Sequence, residues 1–297
     1  MKVAESETQK SGAQETLAPE SPKGSPSLDI ETKLPDIVGR PIDLIVYPES
    51  GEFVVVPHQG KTNGIRVRKS RGQGADRERS KQVAMRRARS KIRRYAVQFA
   101  LRFMWTLTYA DPQTDPKVVL RDIERLIAKV VADRGYERFP YVRVLEWHKT
   151  DHGLHVHIGV PFRISHARLW ELWAKGFVWC SDKKPKGAAT AVGARVAAGY
   201  LSKYVGKAFE VAEFGSHRYE CAQGFDVTKY VIPVQTLEDG YAYGTAFFTG
   251  KMMYFWTSLN DPEWDGPPVV FASFDGPAQG AIWEAMKRRL DAHLNGA

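Results

Sequence analysis

Hydrophobic and polar positions switch between two periods along this chain, and the switches mark its elements. Ile42 to Tyr47 and Phe53 to Val56 are apolar runs flanking Pro48-Glu49-Ser50-Gly51, which predicts a hairpin or a small strand pair. From Asp76 to about Phe99 the period becomes helical, with Val83, Ala84, Ala88, Ile92, Tyr95, Ala96 and Phe99 recurring every three or four residues. Phe103 to Tyr109 is rich in aromatic and β-branched residues and reads as a strand. Asp115 then caps a helix with Pro116 at its first position, Val119, Ile123, Leu126, Ile127 and Val130 as its buried stripe, and Gly135 at its end. Tyr141 to Trp147 and Leu154 to Val160 are two further strands around the turn Lys149-Thr150-Asp151-His152-Gly153. Ser165 opens a short helix that Gly176 closes, Phe177 to Cys180 is a fourth strand, and Ala188 to about Phe209 is a helix weakened by Gly193, Gly199 and Gly206.

From Phe103 to Cys180 this order is strand, helix, strand, strand, helix, strand. It predicts an α+β fold with a ferredoxin-like βαββαβ core, an antiparallel central sheet, and helices on one face. Past Arg218 the pattern turns β-rich, with strands expected at Tyr230 to Val234, Ala242 to Phe248, Met252 to Trp256 and Val269 to Phe274, then an amphipathic helix from Gln279 to His293. Whether these strands extend the core sheet or form another layer stays open at this level. The expected division is a disordered tail over residues 1–40, a strand pair with a basic loop and an Arg-rich helix over 41–100, the core over 101–215, and a β-rich extension over 216–297. The tail holds no aromatic residue and too little apolar surface to offset its ordering entropy.

Charge adds a partner. The formal net charge is +9, yet the segment from Arg66 to Arg94 alone carries 13 Lys/Arg against Asp76 and Glu78, so the remainder is slightly acidic. Such a local excess suits phosphate binding, with Arg86, Arg87, Arg89, Arg93, Arg94 and Lys207 as expected DNA contacts. Such helix residues hold the backbone without reading sequence, which leaves origin specificity to another region, such as the β-rich C-terminal part. The spacing of Tyr95, Trp147, Trp170, Trp173 and Trp179 fits core packing, with stacking on unpaired bases as the alternative. Cys180 and Cys221 form no disulfide framework, no apolar run approaches the ~18 residues of a membrane span, and the N-terminus is not a signal peptide, so a cytoplasmic protein is expected. Gly60-Lys61-Thr62 mimics the end of a phosphate loop, but Val55 stands where its first glycine belongs, so no helicase motor is expected.

Two constellations carry chemistry. His155 and His157 lie two apart on one strand and so share a face. Antiparallel pairing with position 146 opposite 155 would bring the Glu146 carboxylate beside them. Two imidazoles and one carboxylate with open positions suit Mn²⁺ or Mg²⁺, with Zn²⁺ also compatible. A polar, exposed strand face is the plainer alternative; His148 and His152 read as turn residues. Tyr200 and Tyr204 lie four apart on a helix and share a face, with Lys203 between them. A phenol needs nearby positive charge to act as a nucleophile near neutral pH. Attack on a DNA phosphate would then leave a phosphotyrosine and a free 3′-hydroxyl. Core or interface packing is the competing explanation for the tyrosine pair.

In combination these residues resemble the HUH endonucleases, the rolling-circle replication initiators of plasmids and single-stranded DNA phages. Trp105-Thr106-Leu107-Thr108-Tyr109 is similar to the first motif of the family, His155-Val156-His157 to its His-hydrophobic-His motif, and Tyr200-Leu201-Ser202-Lys203-Tyr204 to the two-tyrosine helix of the branch that includes phage A-type initiators. His217 to Glu220 and Gln223-Gly224-Phe225 resemble plasmid initiators of actinobacterial type. The resemblance implies a replication initiator that nicks one origin strand by metal-dependent transesterification. His155, His157 and Glu146 would be metal ligands, Tyr200 and Tyr204 nucleophiles acting in turn, and Lys203 a phosphate or metal partner. The implied partners are single-stranded or supercoiled origin DNA, a host helicase and a host polymerase, with no membrane. The competing assignments are a two-tyrosine transposase or relaxase with the same chemistry, and a non-catalytic nucleic-acid-binding protein.

Overall fold

Ten strands and six helices are present among the residues that the computed structural model describes, which are 42–58, 77–147, 153–180, 191–211, 219–262, 264 and 266–294. The expected tail over 1–40, the basic loop from Lys61 to Gly74 and most of the turn after Trp147 lie outside them. The strands form two antiparallel sheets of five.

The first sheet holds the core motif. Strand β3 (Phe103–Leu107), helix α2 (Pro116–Asp133), strands β4 (Val142–Trp147) and β5 (Leu154–Val160), helix α3 (His166–Trp173) and strand β6 (Val178–Cys180) follow in the expected order. Their spatial order is β6-β3-β5-β4, with β7 (Tyr219–Cys221) added beside β4. Both helices begin where their caps dictate: Asp115 accepts from the Lys117 amide, and Ser165 from that of Arg168. Their apolar stripes, including Ile123, Leu126, Leu169 and Trp173, meet Trp105, Leu107, Val156 and Ile158 in one core.

The opposite face is covered as well, which corrects the one-sided arrangement. Helices α1 (Arg77–Gln98) and α4 (Ala191–Val211) flank the six-element motif in sequence and pack on each other. Ala88, Ile92 and Tyr95 from α1 join Leu201 and Tyr204 from α4 over Met104, Val142 and Val144. The sheet is thus sandwiched, and its second core is built by elements outside the motif. Tyr95 and Trp173 are core residues, whereas Trp147, Trp170 and Trp179 lie at the surface, contrary to the expectation from their spacing. The sandwich tolerates this because each of those three sits at a strand end, on a polar helix flank or on an edge strand.

The second sheet joins sequence-distant strands. Strands β1 (Ile42–Tyr47) and β2 (Glu52–Pro57) make the predicted hairpin, β8 (Tyr230–Val234) pairs with β1, and β10 (Val270–Phe274) links β2 to β9 (Met252–Thr257). The strand expected over Ala242 to Phe248 does not form. Residues Leu237–Ala246 are instead helix α5, opened by a capping box in which Thr236 and Asp239 bond reciprocally to each other's amides. Two glycines and several aromatic residues hide this helix from propensity. The glycines serve packing: a Cβ at Gly240 would lie 2.5 Å from Val55, and one at Gly244 would lie 2.8 Å from the Phe53 ring. Helix α6 (Ala281–Leu294) closes the same side through Trp283, whose ring meets Phe247 and Tyr230.

A buried polar knot ties the sheets together. Glu52, with no solvent exposure, accepts from Arg93 Nε at 2.7 Å and from Arg94 Nε at 3.1 Å. Arg195 of α4 stands 3.9 Å from the same carboxylate and donates to the Ser50 and Phe274 carbonyls at 2.7 and 2.6 Å. Burial alone would push the Glu52 carboxyl up. The charges of Arg93, Arg94 and Arg195 and the Arg93 hydrogen bond outweigh it and hold the group below the usual carboxylate range.

Candidate active site

The sheet register places the chemistry-bearing side chains on the face under α4. On β5, His155 lies opposite Glu146 of β4, and His157 lies between Val144 of β4 and Thr106 of β3. Alternation along each strand then puts Thr106, Glu146, His155 and His157 on one face. His157 is buried, and both of its ring nitrogens are engaged. Its Nε2 is 2.8 Å from Glu146 Oε2, and its Nδ1 is 3.1 Å from Thr106 Oγ1. His155 is half-buried beside them.

The two tyrosines reach the same place from above. The Tyr204 ring stacks on the His157 imidazole with centroids 3.7 Å apart and planes 22° apart. Its hydroxyl donates to that of Tyr200 at 2.6 Å. The two phenols differ sharply in access, since Tyr204 is 9% exposed and Tyr200 is 44% exposed. Burial, the bond to Tyr200 and the negative charge of Glu146 push the Tyr204 phenol above the ordinary tyrosine range. Lys203 is exposed on α4, and no bond joins it to either phenol among the described residues. The side chain of Lys207 lies outside the described residues.

Helix α4 can lie this close because Gly159 has no side chain. A Cβ there, two residues beyond His157 on the same face, would come within 2.7 Å of Leu201 Cδ1, and Leu201 is buried. Gly159→Val is therefore expected to destabilise the fold by about 1–3 kcal/mol through overpacking. Urea melts of the variant and the parent protein would measure this, and coincident midpoints would show that α4 rides freely over the position.

Residues 102–209 match the model of a family of replication-associated proteins, the ORF2 type. The matched segment runs from β3 through α4 and so contains both histidines, Glu146 and both tyrosines. It supports a role in replication for this part of the chain. No curated protein and no solved structure matches the chain.

The expected site residues thus fall into three groups. Glu146, His157, Tyr200 and Tyr204 are joined by direct contact, with His155 on the same face. Among the described residues, no three His, Cys, Asp or Glu side chains are gathered closely enough to hold an ion. The gathered donors are the pair Glu146 and His157. The basic helix splits in two: Arg86, Arg87 and Arg89 are exposed, while Arg93 and Arg94 are engaged with Glu52. Sequence reasoning missed Thr106, Gly159 and Arg195 as parts of the site. Thr106 was legible as the middle of an alternating strand. The other two acquire a role only through tertiary contact.

Proposed function

We propose that the chain is a replication initiator that nicks one strand of origin DNA by tyrosine transesterification. The observation that carries this reading is the stack of Tyr204 on His157, which puts the two-tyrosine helix directly over the histidine strand. Two ordinary sequence patterns meet there in one place.

Tyr200 is the first nucleophile in this reading. It is the accessible phenol, and the Tyr204 hydroxyl already points its proton at the Tyr200 oxygen. That donor stabilises negative charge as the Tyr200 phenol loses its proton. The Tyr200 oxygen forms a bond to the DNA phosphorus, and the bond from phosphorus to the upstream 3′-oxygen breaks. The products are a 5′-phosphotyrosine and a free 3′-hydroxyl. One phosphate ester replaces another, so the linkage energy is kept and the step reverses to join strands. Tyr204 serves the second transfer once Tyr200 is occupied.

The donor set fits a divalent cation such as Mn²⁺ or Mg²⁺. His157 Nε2, Glu146 and His155 would hold it, with the Thr106 hydroxyl accepting from Nδ1–H and so fixing the imidazole tautomer. A bound ion would supply positive charge to a phosphate oxygen. The direct bond between His157 and Glu146 gives way when an ion takes its place. A host helicase would open the duplex and a host polymerase would extend the 3′-hydroxyl.

The test is covalent capture. Full-length protein is mixed with a randomised single-stranded DNA pool and Mn²⁺, and protein-linked strands are recovered and sequenced from their 5′ ends. Adducts sharing a short sequence are expected, and their loss on adding EDTA. Capture undiminished in EDTA would remove the metal from the mechanism. Capture undiminished in the Tyr200→Phe/Tyr204→Phe protein would refute the tyrosine chemistry.

A further inference from the structure

The two faces of the second sheet differ. Phe53, Val55 and Phe274 look toward α5 and Trp283, and that side is closed. On the other side the cross-strand neighbours Val231, Ile45, Val54, Phe271 and Trp256 make one unbroken apolar row from β8 to β9. Val231 is exposed, and the other four are half-buried. Tyr254, two residues from Trp256 and therefore on the same face, is exposed with its ring 5.9 Å from that of Phe271. Trp264 packs edge-on against Trp256 at 5.3 Å. A row of aromatic and aliphatic side chains that reaches solvent is unlike a sealed core.

A cleft of about 780 Å³ runs between this face and α1. Ile45, Tyr47, Val54 and Val56 form its sheet wall. Arg86, Arg87, Lys91, Arg94 and Lys229 line it against a single acid, Asp226. Arg94 lies over the Tyr47 ring at 3.7 Å, and Arg93 over the Phe271 ring at 5.2 Å. Cations and flat rings therefore alternate on one surface, outside the site of the histidines and tyrosines.

We propose that this sheet face and its cleft bind single-stranded DNA, with phosphates on the α1 cations and bases on Phe271, Tyr254 and Trp256. A single strand offers both a charged backbone and open base faces at every nucleotide, and stacking on aromatic rings tolerates any base. A duplex engages the cations but keeps its base faces stacked away from the rings. An acidic peptide engages the cations but has no use for an aromatic row. Helix α1 also packs on α4, so a strand held here lies along the element that supports the tyrosine helix. The proposal rests on the reading that the chain acts on DNA, and not on how it cleaves it.

The experiment is fluorescence anisotropy of the full-length protein with a labelled single strand of about 20 nucleotides, long enough for one sheet-sized site, and with a duplex of equal length. Tyr254→Ala/Phe271→Ala is expected to weaken single-strand binding at least tenfold, roughly the effect of losing stacking on two rings, and to leave duplex binding within about twofold. Arg87→Gln/Lys91→Gln is expected to weaken both. Tyr254→Ala alone, at an exposed position, keeps the test valid if the double variant unfolds, and about a threefold loss is expected there. Tyr243→Ala, exposed on α5 at the far side, is expected to change neither. Single-strand affinity unchanged by the Tyr254 variant, or equal losses for strand and duplex, would overturn the platform. The Tyr200→Phe/Tyr204→Phe protein separates the two readings: it is expected to bind the strand normally while forming no adduct. Ring-dependent binding by a protein that never forms adducts would defeat the nicking reading alone.

Discussion

Tyr200→Phe is expected to reduce formation of the covalent protein–DNA adduct by at least about 10³-fold, the scale on which removal of a nucleophile acts. Tyr204→Phe is expected to slow the first cleavage about tenfold while leaving the adduct detectable. The phenylalanine ring still covers His157, so that variant loses only the hydroxyl that donates to Tyr200. A hydrogen bond to a group becoming charged is worth about 1.5–3 kcal/mol, which sets that scale. The double variant should match Tyr200→Phe in the first cleavage, because groups acting as a unit are not additive. Rates come from denaturing gels of adduct against time on a single-stranded substrate. An active Tyr200→Phe beside an inactive Tyr204→Phe would reverse the assigned order. Joining of a second strand is the complementary readout, and there Tyr204→Phe should be the more damaging change.

The second large effect concerns stability. Glu52→Gln leaves three guanidinium groups around an uncharged amide, and breaking a buried ion pair in this way costs about 3 kcal/mol or more. For a chain of this size the melting temperature should fall by about 10 °C. The effect carries a pH signature with a definite sign. The Glu52 carboxyl is held below its ordinary range in the folded protein. Its contribution is therefore complete above the unfolded pKa of about 4.3 and is lost as pH falls through the folded value. Thermal melts of parent and variant should be widely separated at neutral pH and should converge in acid. A separation that persists unchanged in acid would mean that the carboxylate charge is not what stabilises the knot.

What the sequence made legible was mostly local. The caps Asp115 and Ser165, the stripe on α2 and the alternation through β5 depend on near neighbours, and the core motif follows from them. The register that sets Glu146 opposite His155 follows from a short connection between two strands. The second sheet is different. Its β1 strand pairs with β8, far away in sequence, and nothing in either strand names the other. Glu52 looks like one more polar residue at a turn until Arg93, Arg94 and Arg195 converge on it from two helices. Helix α5 was hidden because its glycines weaken the helical signal while serving close approach to β2. The exposed tryptophans mislead for a related reason: a large apolar side chain suggests core, but only the tertiary arrangement decides which ones are covered.

The link from Arg195 to the Ser50 and Phe274 carbonyls has a consequence in time. A ribosome delivers β1 and β2 early and β10 roughly 200 residues later, an interval of about 10–40 s at ordinary translation rates. Throughout it the tyrosine helix can be present, but the clamp on its first turns lacks one jaw. Long-range sheet pairing is also the slow step in folding. A growing chain thus carries its histidines and tyrosines well before they are fixed in place, and the capacity to break a DNA strand is the last property this protein acquires.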